Sequence, residues 1–116
     1  MIAIALQEQD WETLYRRAIE AEQLLMSCGT LQEVLIVAFR KGIITEVNQL
    51  LNRLDADYVP VDQDLAEKAA ELYQHFGKGT LHPAKLNYGD CFAAALASVQ
   101  AMPLLFCGVD FQAAGY

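Results

Sequence analysis

LLMSCGTLQEVLIVAFRKG, residues 24–42, sets a short apolar run before a glycine and a helix-opening signal behind it. Leu24, Leu25, Met26, Ser27 and Cys28 are compatible with a buried parallel strand, with a helix tail as the alternative that period alone leaves open. Thr30, Leu31, Gln32 and Glu33 spell a capping box, in which hydroxyl and carboxylate each satisfy a free backbone N–H. A helix is therefore expected to begin at Thr30, carry the apolar residues 34–39 and break at Gly42.

Upstream, Asp10 is the expected N-cap of an amphipathic helix over residues 11–25, with Leu14, Ala18 and Ile19 inward and Glu12, Arg16, Arg17 and Glu20 outward. Residues 1–6 are apolar at nearly every position, with no capping residue ahead of them. Downstream, residues 45–54 form a second helix with leucines at 50, 51 and 54, and 55–57 a polar turn. Residues 58–61 read as a strand, whose Pro60 places it at a sheet edge. Asp62 caps a helix over 63–76 that turns Leu65, Ala69, Leu72 and Tyr73 inward. Residues 77–86 are the one true loop, Asn87 caps a helix over 88–101, and Leu104, Leu105, Phe106 and Cys107 form a last apolar run. Strands alternating with helices predict an α/β domain, a parallel sheet with helices on both faces, spanning 1–116 as a single unit.

The composition narrows the function classes. With 116 residues, one core must serve the whole chain, and 54% apolar against 20% charged residues is a globular balance. Eight Lys and Arg against 15 Asp and Glu give a net charge of −7, which argues against a coat for duplex DNA, where many phosphates must be neutralised. Any nucleic-acid contact must be local. Cys28, Cys91 and Cys107 are odd in number and lack CxxC spacing, so reduced thiols are expected. No apolar run approaches the ~18 residues of a membrane span, and none follows a basic leader, so a soluble, cytoplasmic protein with no membrane contact is expected.

Three acids stand near expected strand ends: Glu33, Asp90 and Asp110. In an open parallel sheet, loops beyond the carboxyl ends of strands converge on one site, and converging carboxylates are what Mg²⁺ or Mn²⁺ requires. Each acid also has a plainer role, since Glu33 can complete a capping box and Asp90 can stabilise a helix N-terminus. His75, His82, Lys78 and Lys85 lie in an acid-free stretch, residues 72–89, where a cationic strip could hold a phosphate backbone. A solvated loop is the plainer explanation of that strip. Tyr88 or Phe76 is available there for stacking on an unpaired base. Gly77, Lys78, Gly79 and Thr80 resemble part of a phosphate-binding loop, but Leu72 stands where its first glycine belongs, so an NTP site is rejected.

The phrase FGKGTLHPAKLNYGDCFAAALA, residues 76–97, resembles the PIN-domain ribonucleases of the VapC type, the toxins of type II toxin–antitoxin pairs. TLQEVLIVAFRKG at 30–42, DYVPVD at 57–62 and PLLFCGVDF at 103–111 extend the resemblance over almost the whole chain. It implies a PIN-like three-layer α/β/α fold and a Mg²⁺- or Mn²⁺-dependent endoribonuclease for single-stranded RNA. A homodimer silenced by a cognate antitoxin is implied as well. By position, Glu33, Asp90 and Asp110 match the family's second, third and fourth acids as catalytic and metal-binding residues, and Lys78, His82 and Lys85 would hold RNA. The family's opening strand, which carries the first acid, has no match before Met1. The expectation is thus a chain incomplete at the N-terminus, missing a central strand. Either translation starts upstream, or the chain is a catalytically defective remnant that only binds its antitoxin.

Overall fold

The computed structural model describes residues 2–77, 79–80 and 85–102. In chain order these form α1 (Ile2–Ala5), α2 (Trp11–Glu20), β1 (Leu25–Ser27), α3 (Cys28–Lys41), α4 (Ile44–Leu54), β2 (Asp57–Val59), α5 (Gln63–Phe76) and α6 (Asp90–Gln100). β1 and β2 pair in parallel, with Leu25 opposite Asp57, Met26 opposite Tyr58 and Ser27 opposite Val59.

Strand pairing settles the reading of residues 24–28. The Leu24 carbonyl accepts the Asp57 N–H at 2.8 Å and residues 25–27 are a strand, while Cys28 already belongs to α3. α2 accordingly stops at Glu20, short of the expected residue 25, and Ala21 is already extended. Asp10 is left-handed (φ 65°) and makes no side-chain cap. Leu14 and Ala18 are buried as expected, but Ile19 is 53% exposed because it falls beyond the narrow apolar stripe of so short a helix.

Ser27 ends β1 and opens α3: its Oγ accepts the Gly29 N–H at 3.1 Å. The helix therefore starts at Cys28, two residues before the expected Thr30. The capping box does not form, because Thr30 lies inside the first turn, where its Oγ1 is buried with no hydrogen-bond partner. At the other end Gly42 adopts φ 71°, its N–H reaching the Phe39 carbonyl at 3.2 Å while that of Ile43 reaches Ala38 at 2.9 Å. This is a Schellman ending, and Ile43 turns back onto the cluster of Val34, Ala38, Val47 and Leu51.

Pro60 follows β2 instead of lying within it, so no ladder bond is lost. Asp62 caps α5 as expected, its Oδ1 accepting the Leu65 N–H at 2.8 Å. Leu65, Ala69 and Leu72 are buried, whereas Tyr73 is exposed. Both ends of the expected loop after α5 are tied to the fold. Gly77 and Leu86 form an isolated parallel bridge, and Leu86 is fully buried. Residues 88–89 form a turn ahead of α6, and the apolar run at 104–107 lies outside the described residues.

Consecutive strand residues point to opposite faces of a sheet. Leu25 and Val59 pack with Leu65, Leu72, Leu86, Ala94 and Ala95, while Met26 packs with Val34, Ala38 and Leu51. Helices α5 and α6 thus cover one face and α3 and α4 the other, the three-layer α/β/α arrangement expected from the sequence.

Two helix ends make a paired test of backbone conformation. α6 closes as α3 does, but with Ala101 at φ 52° where α3 has a glycine. Left-handed backbone costs an L-residue of order 1 kcal/mol. Gly42→Ala should lower stability by about 1 kcal/mol and Ala101→Gly should raise it by about half as much, both read from urea denaturation midpoints.

Candidate active site

The site lies where the first turns of α3 and α6 meet. Each helix carries a glycine there, and each glycine receives a side chain from the other helix. A Cβ on Gly29 would fall 2.6 Å from the Phe92 ring, and one on Gly89 would overlap the Glu33 carboxylate. The two chain segments approach closely because neither has a side chain in the way. Glu33 is thereby held against the turn that leads into Asp90.

Asp90 is fixed by its own helix start. Its Oδ2 accepts the Asn87 N–H at 3.0 Å, while Asn87 Oδ1 accepts the Asp90 N–H at 2.8 Å. This reciprocal pair is a capping box built from Asn and Asp, so the expected capping role of Asn87 is correct. The sequence reading missed the second half of the pair, although the N-x-x-D spacing announces it. Gly29 and Gly89 were also passed over; their only signal is a lone glycine at the start of a helix.

Glu33 and Asp90, distant in the chain, converge. Burial, and then the nearby Asp90 charge, push the Glu33 carboxyl above its ordinary value of 4.5. Cys91, the next residue, points into the core at 2% exposure, and burial followed by the Asp90 charge pushes its thiol up to about 11. It is an inert packing group, as the unpatterned cysteines suggested, and Cys28 is a free thiol too. Phe76 is half-buried and packs against the core.

The other expected site residues are less fully placed. Lys85 is exposed, with φ 51°, next to the buried Leu86. Lys78, His82 and Asp110 lie outside the described residues. Among the described residues, no three His, Cys, Asp or Glu side chains gather as a metal set; Glu33 and Asp90 make a pair. That pair fits a hard divalent cation in its chemistry. It offers only oxygen donors, it brings two like charges together where one is partly desolvated, and a buried hydroxyl without a partner, Thr30 Oγ1, sits one helical turn before Glu33.

The raised carboxyl gives a pH test. Folded Glu33 keeps its proton to higher pH than the unfolded chain does, so its ionisation costs stability in a window that opens near 4.5 and extends upward. The cost grows as the pH rises through the raised carboxyl and is absent in acid. In metal-free buffer, Glu33→Gln should therefore be more stable than wild type at pH 7. The gap should close as the pH falls below about 4. Urea denaturation at each pH checks it, and a gap independent of pH would contradict the cause assigned here.

No described helix is long and apolar enough to cross a membrane. The sequence profile of the PIN domain matches residues 1–115. Ribonuclease VapC30 of Mycobacterium tuberculosis is 38% identical over 116 residues, covering 97% of this chain and 87% of that protein. Ribonuclease VapC of Mycolicibacterium smegmatis is also 38% identical, over 115 residues, with 97% and 88% covered. Ribonuclease VapC42 of Mycobacterium tuberculosis is 47% identical over 70 residues, 57% of this chain and 53% of that protein. With its three-layer architecture and this span of similarity, the chain belongs to the PIN-domain family, in its VapC-type branch.

Proposed function

We propose that the protein is an endoribonuclease, the toxin of a type II toxin–antitoxin pair, which hydrolyses single-stranded RNA with the help of Mg²⁺ or Mn²⁺. The observation that carries this reading is the convergence of Glu33 and Asp90 at one end of the sheet. Two carboxylates that repel each other in a partly dry setting are stabilised by a cation between them. When bound, such a cation supplies an activated water and neutralises charge on the phosphodiester.

The chain's own residues do the rest. Glu33 and Asp90 would hold the cation, with Asp110 as a third acid. Asn87 keeps the Asp90 carboxylate in place through its backbone N–H. Gly89 leaves room for Glu33 to reach the same point. Lys78, His82 and Lys85 contribute the local positive charge that an otherwise acidic chain needs to hold an RNA backbone. A cognate antitoxin as partner and a homodimer as the working form belong to the same reading, as does action in the cytoplasm.

Two variants test it. Asp90→Asn should reduce Mg²⁺-dependent cleavage of a folded RNA with unpaired loops by more than about 100-fold, the upper range for losing even an outer partner of a metal ligand. Unchanged cleavage would remove the mechanism. Gly89→Ala introduces a Cβ where the Glu33 carboxylate lies, and that carboxylate is the free end of a flexible side chain. The fold should therefore survive, with a thermal midpoint close to wild type, while Mn²⁺ affinity measured by calorimetry falls roughly 10- to 100-fold.

A further inference from the structure

Tyr88 is 76% exposed, more than any other large apolar or aromatic side chain among the described residues. A lone exposed aromatic ring calls for no explanation in itself. This one is held in place. Its ring meets that of Phe92 edge to face, with centroids 5.3 Å apart and planes at 89°. Phe92 is seated in turn over Gly29, at the start of α3. The ring that stands out into water therefore rests on a chain of contacts that also joins the two helix starts. It adjoins Gly89, against which the Glu33 carboxylate lies, and it stands two residues before Asp90.

We infer that Tyr88 is a base-stacking residue, on which an unpaired nucleobase next to the scissile phosphate rests. The inference depends on the ribonuclease reading above and adds to it how an unpaired strand is preferred. A ring at 76% exposure has at least one open face. Every nucleobase has a π-face that can cover it, without regard to sequence. A base within a duplex is already covered by its neighbours and must first be unstacked, which costs a few kcal/mol. An aromatic platform beside the acid pair thus favours strands whose bases are free, and it does so without a base-specific hydrogen bond. The edge-on contact with Phe92 removes much of the ring's freedom before RNA arrives, so less ordering entropy is lost on binding.

The test uses the full chain and a short single-stranded RNA carrying 2-aminopurine at one position, moved stepwise along the strand. On rapid mixing, before turnover, wild type should quench the fluorescence strongly at one position. Tyr88→Phe and Tyr88→Trp should keep that quench, and Tyr88→Ala should lose it. In steady-state cleavage Tyr88→Ala should raise KM roughly 5- to 150-fold, the span measured for one base on one ring, with kcat changed far less. An abasic residue at the quenched position should impose the same loss on wild type and little further loss on Tyr88→Ala. If wild type cleaves and binds RNA but Tyr88→Ala matches it in quench and KM, the stacking role is overturned while the nuclease reading stands, and the exposed ring is then left for a protein partner. If wild type neither binds nor cleaves RNA, both fall together.

Discussion

The candidate site depends on a mutual clearance. The first turns of α3 and α6 can touch only because Gly29 makes room for Phe92 and Gly89 makes room for Glu33. Steric fit of this kind is short-ranged and unforgiving, as dense interiors are. It also does electrostatic work, since it carries one carboxylate into partial burial beside another. Burial, and then the Asp90 charge, accordingly hold the Glu33 carboxyl above its ordinary value, and the rest of the fold maintains that placement.

What maintains it is the sheet and its two helical layers. β1 runs into α3 with no intervening loop, while α6 lies against α5 and the far face of the strands. The alanines of α6, with Ala94 and Ala95 fully buried, let that helix sit close to its neighbours. Glu33 and Asp90 therefore approach from opposite layers and meet at the sheet's end.

Much of this was legible in the sequence, and the parts that were not have physical causes. The α/β class followed from alternating apolar runs and helix signals, and Asp62 and Asn87 were readable as caps because their side chains act within three residues. Glu33 and Asp90 could be named as candidates, but their meeting could not be read from local pattern, because it is set by glycines on two separate helices. The start of α3 was misplaced for a similar reason. Thr30 and Glu33 match a capping box, yet the strand pairing of Ser27 with Val59 fixes the helix start earlier, and tertiary structure overrides the local signal. Ile19 and Tyr73 were assigned inward by spacing alone and lie outward, since the apolar stripe on each helix is narrower than the pattern implied. Leu86 shows the reverse: it hides in a polar stretch and yet is fully buried.

Ser27 has one further consequence. The same residue closes a strand and opens a helix, so the angular phase of α3 is inherited directly from the register of the sheet. A helix turns about 100° with each residue. Adding or deleting one residue at this junction would rotate Glu33 away from α6 by more than a quarter turn, with no slack to absorb it. A residue added in the connections at 6–10 or 21–23 would leave that phase untouched, and the strand-to-helix junction acts as a fixed datum from which the position of the acid is measured.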